Sequence, residues 1–443
     1  MFRFVGGTLA AVMVASVGGV AQAGGPQWST TLGNPGLTGS YVSSFEVFQG
    51  ALHATGSFAV PGVPGGSLIA RWDSSAWAPL GSGLQEQYSN TMRVFQGDLI
   101  VGGYFNSAGN VAGTAKLARW DGSAWHAMDA QAESFLSSIW DLEVHDDGSG
   151  EALYIAGNYV TLNGQVGLDH IARWDGTTYT SVGGTIDGAV PLIVLDVLSA
   201  DLGDGPHLYA AGRFLSIGGV AANNIARWNG SSWEALGAGL TRSSSFAQGF
   251  HMTVFDDGNG PALYVGGSFN RINNTEVANN VAKWDGTAWS SLGDGLDGQV
   301  QEMIVFDDGT GPALYALGSF NNSGATPASR AAKWNGVSWE AVATSVDGNI
   351  FGGIVYDIGE GPALHMGGGF STVDGHASNR VISLLAAGCP ADLTGDGNLN
   401  FFDVSAYLAM YNAGDPAADL TGEGDLNFFD VSAYLTMYNA GCP

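Results

Sequence analysis

A repeat limits what this chain can fold into more than any other feature. IARWDSSAW (69–77) returns as LARWDGSAW (117–125), IARWDGTTY (171–179), IARWNGSSW (225–233), VAKWDGTAW (281–289) and AAKWNGVSW (331–339). The first Trp of each falls at 72, 120, 174, 228, 284 and 334, a period near 50. A second motif precedes each copy and occurs seven times: LHATGSF, LIVGGYF, LYIAGNY, LYAAGRF, LYVGGSF, LYALGSF and LHMGGGF (364–370). After the seventh, NRVISLL (379–385) replaces the RW strand. Units of this length bury their apolar faces only against neighbouring copies.

Each repeat reads as four short strands. In the fifth they are HMTVFD (251–256), ALYVGGSF (262–269), NVAKWD (280–285) and AWSSLG (288–293), bounded by Gly, Asn or Asp. Gln49-Gly50 and Gln96-Gly97 suit two-residue hairpins, and Asp-Gly or Asn-Gly closes the hairpin between strands three and four. Four strands per repeat predict an all-β fold, a seven-bladed β-propeller over residues 24–388. The seventh blade lacks a W-x-x-L-G strand. Trp28-Ser29-Thr30-Thr31-Leu32-Gly33 resembles Trp233-Glu234-Ala235-Leu236-Gly237 with one extra residue, so the N-terminal strand is expected to close the ring.

Composition agrees, with 69 Gly, 11% aromatic and only 12% charged residues. The formal charge of −27, from 14 basic against 41 acidic residues, excludes nucleic acid and anionic membrane surfaces as partners. Arg3, the apolar run Phe4 to Val20 and Ala21-Gln22-Ala23 read as an export signal over residues 1–23. No later stretch is long and apolar enough to span a membrane, so a secreted or cell-surface protein is expected. The two cysteines, Cys389 and Cys442, bracket the C-terminal residues and are a disulfide candidate.

With LYVGG followed by a paired Trp strand, the repeat resembles the kelch family of propellers. That resemblance implies a binding platform or, in some members, an enzyme. It also implies that the first strand of each blade lines a central channel. The Gly doublet is intact in LIVGGYF, LYVGGSF and LHMGGGF and altered in the other four.

Catalytic residues are not evident. Arg71, Arg119, Arg173, Arg227, Lys283, Lys333 and Arg380 recur once per blade, which points to a structural role such as pairing with Asp. The Asp-Asp-Gly turns at 256–258 and 307–309 read as Asx turns, because they lack the spaced oxygens calcium needs. The eight His form no metal spacing, and His53 and His365 take the usual Tyr position of the second strand. A propeller without cysteine cannot carry a galactose-oxidase-like copper site. Arg93, the one Arg on a first strand, is too little for a sialidase. Asp141, Glu143, Asp196 and Glu302 lie on or beside first strands and leave two-carboxylate glycoside chemistry open.

The C-terminus carries the most specific signal. Asp392, Thr394, Asp396, Asn398, Asn400 and Asp403 stand at positions 1, 3, 5, 7, 9 and 12 of an EF-hand loop, with Gly397 at position 6. Twenty-seven residues later come Asp419, Thr421, Glu423, Asp425, Asn427 and Asp430, with Gly424. Two Ca²⁺ ions are therefore expected, and with eight acids and no Lys or Arg over 389–443 folding should depend on them. Each loop leads into a helix whose apolar face is Val404, Tyr407, Leu408 and Tyr411, or Val431, Tyr434, Leu435 and Tyr438, ending at Gly414 or Gly441.

Two such loops, each with Asp at position 12 and one helix, resemble a type I dockerin over almost all of residues 389–443. The resemblance implies docking to a cohesin-type or cell-surface receptor. Family members commonly carry small hydroxyl residues at loop positions 10 and 11. This chain has Phe401-Phe402 and Phe428-Phe429, which makes those four the candidate docking surface and sets cohesin recognition apart from metal binding.

The sequence as a whole predicts a secreted, calcium-binding, non-catalytic binding or scaffold protein, its propeller offering polar loops to a glycan or protein. A polysaccharide-degrading enzyme carrying a dockerin, as glycoside hydrolase or lyase, is the alternative. A structural matrix protein that self-associates with calcium is the third.

Overall fold

A computed structural model describes residues 26–63, 67–128, 137–162, 165–188, 191–243, 246–387, 391, 393–394, 399–422 and 424–440. The export-signal segment, Cys389 and Cys442 lie outside them. The fold is all-β, with two helices near the C-terminus. Residues Pro26–Ala386 form one compact unit, and the residues from Ala387 belong to another.

Within Pro26–Ala386 the described residues build seven four-stranded antiparallel sheets. Six are formed by strands laid side by side in chain order, as in sheet five: Gln248–Asp256, Pro261–Ser268, Val281–Trp284 and Trp289–Ser291. The first strands of the seven are Thr38–Phe48, Tyr88–Phe95, Ile139–Asp146, Ile193–Asp201, Gln248–Asp256, Val300–Asp307 and Ile350–Tyr356. Sheet seven takes its fourth strand from the N-terminus, where Trp28 of Gln27–Ser29 pairs with Leu384. Gln49 and Gly50 both have positive φ (51° and 73°), as a two-residue hairpin requires. Strands three and four are instead joined by four residues. Asp73 Oδ1 accepts the N–H groups of Ser75 and Ala76, so this Asp serves as an Asx cap.

In the five repeats that carry two Trp, the two have different tasks. They meet edge-on or tilted across the third–fourth hairpin, as at Trp284 and Trp289, 5.3 Å apart. The second one reaches the preceding sheet: Trp289 Nε1 donates to Leu236 O at 2.7 Å, Trp233 to Val182 O at 3.0 Å, and Trp77 to Leu32 O at 2.8 Å. Burying an indole while its N–H finds a carbonyl next door ties adjacent sheets at these five repeats, and in the third the Tyr179 hydroxyl does so instead, donating to Met128 O at 2.8 Å.

The glycine doublet is also divided in purpose. A Cβ on Gly56, Gly103, Gly157, Gly212, Gly267, Gly318 or Gly368 would lie 2.1–2.6 Å from an atom of the adjoining first strand or its flank. This second Gly is therefore kept in all seven sheets. The first faces the next sheet: Gly266 meets Val300, and Gly367 of sheet seven meets Val42 of sheet one. There Thr55, Ala156, Ala211 and Leu317 also fit, so the four altered doublets keep the glycine that the backbone needs.

In sheets two to six the recurring cation pairs with an acid at or beside the first–second turn, as in Lys333–Asp308 at 2.7 Å and Arg227–Asp204 at 2.8 Å. Tyr264 and Tyr315 hydroxyls donate to the same kind of Asp, Asp257 and Asp308, at 2.9 and 2.7 Å. Arg380 does not belong to this series. His365 is opposite Ser383, where Tyr264 is opposite Lys283. Arg380 sits earlier, at φ 69°, and donates to the carbonyls of Gly39, Gly369 and Phe370.

In the C-terminal unit, helix α1 spans Phe401–Ala413 and α2 spans Phe428–Ala440. Asn400 caps α1 in a reciprocal box with Asp403, and Gly414 closes it at φ 71°. Gly441 lies outside the described residues. The packed face departs from the expected one. Leu408 and Leu435 are 41% and 40% exposed, and Met410 and Met437 pack in their place against Tyr407 and Tyr434. No helix among the described residues is long and apolar enough to cross a membrane.

Candidate functional site

In every first strand the ladder to the second strand shifts by one residue, a β-bulge. Just past the shift stand Ser44, Thr91, Asp141, Asp196, His251, Glu302 and Gly352, one per sheet. The six side chains line one cavity of about 920 Å³, to which the first strands of all seven sheets contribute. The bulged residues Trp140, Phe250 and Phe351 give it aromatic walls.

Bonds run from sheet to sheet around this cavity. Thr91 Oγ1 donates to Asp141 Oδ1 at 3.2 Å, and the Val197 N–H donates to Asp141 Oδ2 at 3.0 Å. His251 Nε2 lies 3.0 Å from Glu302 Oε1, and the Met303 N–H points at its Nδ1 at 3.3 Å. Two residues further along its strand, Arg93 forms an ion pair with Glu143. Asp196 is 6% exposed, and its Oδ2 is buried without a protein hydrogen-bond partner. The same holds for the indole N–H of Trp140 and for Nη2 of Arg213.

Electrostatics follow from burial and proximity. Burial pushes Asp141 up, against the N–H of Val197 and the charge of Arg93. It pushes Asp196 well above the ordinary carboxylate range, His251 opposing and Asp141 and Glu302 adding to the rise. Burial alone lowers His251, but the carboxylates of Glu302, Asp196 and Asp141 outweigh it and lift the ring to about 10. The long Met303 contact suits a neutral ring. Facing three carboxyl groups, however, the ring holds its proton and pairs with Glu302. Burial also raises Glu46, which Arg93 partly offsets. Two ion pairs, His251–Glu302 and Arg93–Glu143, thus cross between first strands, and Asp141, Asp196, Glu46 and Arg213 line the cavity outside them.

The cavity brings together all four carboxylates expected on first strands and adds His251, Trp140 and Thr91, which strand alternation did not single out. Among the described residues, no three His, Cys, Asp or Glu side chains are grouped to hold a metal ion.

In the C-terminal unit, Asp392, Asp396, Asn398 and Glu423 lie outside the described residues. The remaining loop positions fold around the last Asp. Asp403 Oδ1 accepts from Thr394 N (3.0 Å) and Oγ1 (2.8 Å), and Asp430 does the same with Thr421 at 3.0 and 2.8 Å. Asn400 and Asn427 N–H groups hold the second oxygens at 2.9 and 2.8 Å. Asp419 accepts the N–H groups of Gly422 (2.8 Å) and Gly424 (2.6 Å), the latter at φ 89°. The second loop, oxygen-rich and turned sharply at Gly424, fits the donor chemistry of Ca²⁺. Phe401, Phe402, Phe428 and Phe429 stand 73, 69, 74 and 68% exposed at the helix starts.

Compared with known families the chain matches none, and no curated protein matches it. Solved structures similar to it include two of an extracellular domain from B. thetaiotaomicron, described as belonging to a one-component and to a hybrid two-component system. Their identities are 11% and 10%, both with TM-score 0.48. Each alignment covers 81% of this chain, which spans only 39% of those chains. BBS1N in complex with ARL6DN aligns over 81% of this chain and 96% of its own, at 12% identity and TM-score 0.43. Likeness of this degree assigns the chain to no family.

Proposed function

We propose that this is a secreted, seven-bladed β-propeller that binds a glycan or protein without transforming it and is anchored through a calcium-dependent, dockerin-like module. Seven four-stranded sheets support the propeller reading, with the N-terminal strand completing the last and Gly367 meeting Val42. The observation that carries the binding reading is the cavity of about 920 Å³, a size that suits a ligand, where polar and charged groups converge beside the aromatic Trp140, Phe250 and Phe351. Two Ca²⁺ ions at Asp392–Asp403 and Asp419–Asp430 would order the C-terminal unit. The exposed Phe pairs would then meet a cohesin-type or other surface receptor, and Cys389 with Cys442 would clasp the module.

A glycan-array screen of the full chain, with and without calcium and paired with analysis of released sugars, tests this. Defined glycans are expected to bind and to be recovered intact. Cleavage products would establish the second reading, a glycoside hydrolase or lyase, which Asp141, Asp196 and Glu302 in one open cavity favour.

A further inference from the structure

A second, smaller pocket of about 170 Å³ lies between sheets four and five and is lined by Arg213 and Arg242. From it we infer that the ligand is an acidic glycan, whose oxyanion, a uronate carboxylate or a sulfate ester, sits between these two arginines. This rests on the binding reading above and names the class of ligand. Arg213 lines both this pocket and the large cavity. It stands opposite Ile193, where the first strand of sheet four begins. Arg242 donates from Nη1 to Ser268 Oγ, and Ser268 stands opposite Gln248, where the first strand of sheet five begins. Both arginines therefore lie at the same end of the cavity.

Repetition sets these two apart from the other cations. The series from Arg119 to Lys333 pairs with acids at one place in sheets two to six, which marks it as structural. The Arg213 position instead holds Ser57, Tyr104, Asn158, Ser268, Ser319 and Gly369 in the other sheets. Among the described residues neither Arg213 nor Arg242 has a carboxylate partner: Arg213 Nε donates to Pro191 O, and Arg242 is held by Ser268. No acidic side chain among the described residues lines the small pocket. Asp187, on a flanking strand, faces Ser216 at 3.5 Å.

Charge selects the ligand. Two cations lining one pocket of this size repel each other, and an anion shared between them turns that repulsion into two attractions. A guanidinium edge offers paired N–H donors that match the oxygens of a carboxylate or sulfate. Phe246 steadies Arg213, its ring centroid 5.1 Å from Cζ, and is itself 56% exposed, leaving apolar surface for a sugar face. The chain's charge of −27 opposes the anion only weakly, because charges beyond about 8 Å are largely screened at physiological ionic strength. In the large cavity Glu143 and Glu302 face cations and burial holds Asp196 neutral. Asp141 and Glu46, on sheets three and one, remain as the acids that direct the ligand's charged end towards Arg213 and Arg242.

The test is calorimetry on the full chain with an oligogalacturonate and its methyl ester, and with a galactose oligosaccharide with and without sulfate esters, all of equal length. An acidic form is expected to bind about tenfold or more tightly than its neutral counterpart. That preference should shrink as salt is raised. Whichever acidic form binds more tightly identifies the oxyanion as carboxylate or sulfate. Arg213→Gln and Arg242→Gln should each reduce the preference, and the double variant, shown folded by circular dichroism, should erase it while still binding the neutral sugar. Equal binding of acidic and neutral forms, or a preference that survives in the double variant, overturns the inference and leaves glycan binding standing. Binding of none of the four, with neutral glycans still retained on the array, also overturns the inference alone. No glycan bound in either experiment overturns both.

Discussion

Tyr407 and Tyr434 lie with ring centroids 4.2 Å apart and planes within 1° of parallel, one ring from each half of the C-terminal unit. Their hydroxyls cross over, Tyr407 donating to Ala418 O at 3.1 Å and Tyr434 to Ala391 O at 2.9 Å. In a core this small the pair is a large share of the buried apolar surface. Tyr434→Ala should cost about 3–5 kcal/mol, judged from aromatic truncations elsewhere. The unit would then fold only at raised calcium, and near-UV circular dichroism during calcium titration of the full chain would record the shift. Calorimetry should count two calcium sites in the parent and one in Asp430→Ala; an unchanged count would refute the loop assignment.

Asp196 should lower stability where it sits. Its pKa is raised on folding, chiefly by burial, so the folded state holds the proton more tightly than the unfolded one. Stability therefore falls as pH rises through and above the ordinary carboxylate range. Asp196→Asn removes this and should raise Tm at neutral pH by a few degrees. A lower Tm at pH 7 than at pH 5, relative to the variant, is the signature in thermal melts.

His53 and His365 are buried second-strand residues, each lowered to about 4 by burial. The neutral rings stabilise the fold fully above the unfolded value near 6.5. That contribution is lost as pH falls through the folded values. Each contributes up to about 3 kcal/mol on this basis. His365→Phe should flatten the decline in denaturant midpoint between pH 6.5 and 4, whatever it does to the midpoint at pH 7.

Gly267 and Gly266 are neighbours with different tolerances. A Cβ at Gly267 would stand 2.2 Å from Gln248 O, which is backbone and cannot step aside. Gly267→Ala should destabilise by about 2–3 kcal/mol or more. At Gly266 the nearest obstacle is Val300 Cγ1 at 2.5 Å, a side chain that can turn. Gly266→Ala should cost clearly less, and urea unfolding of the two variants compares them directly.

The repeat made the strands legible because each rule it used is local: alternating apolar residues, Gln-Gly hairpins and paired Trp. The site was half legible. Asp141, Asp196 and Glu302 stood out as acids on apolar strands, but His251 did not. The bulge between Gly249 and His251 breaks the two-residue alternation that assigns a face, and no single sequence marks a bulge of this kind. Arg380 was misplaced for a related reason. Its Arg follows Asn379 as the other cations follow their strands, yet the seventh sheet puts Ser383 in that register. Leu408 looked like core by helical spacing, and the flexible Met410 filled the space in its stead.

The bulge repeated in seven sheets gives seven positions the same backbone setting, filled by two hydroxyls, three carboxyls, one imidazole and one glycine. Acid and imidazole occupy the arc from Asp141 to Glu302, and Ser44, Thr91 and Gly352 the remainder. A molecule in the cavity thus meets a lopsided electric field that orients it before any close contact forms. Exchanging one of these residues turns that field while the hairpins, indole clamps and glycines behind it are untouched, so recognition here is retunable one spoke at a time.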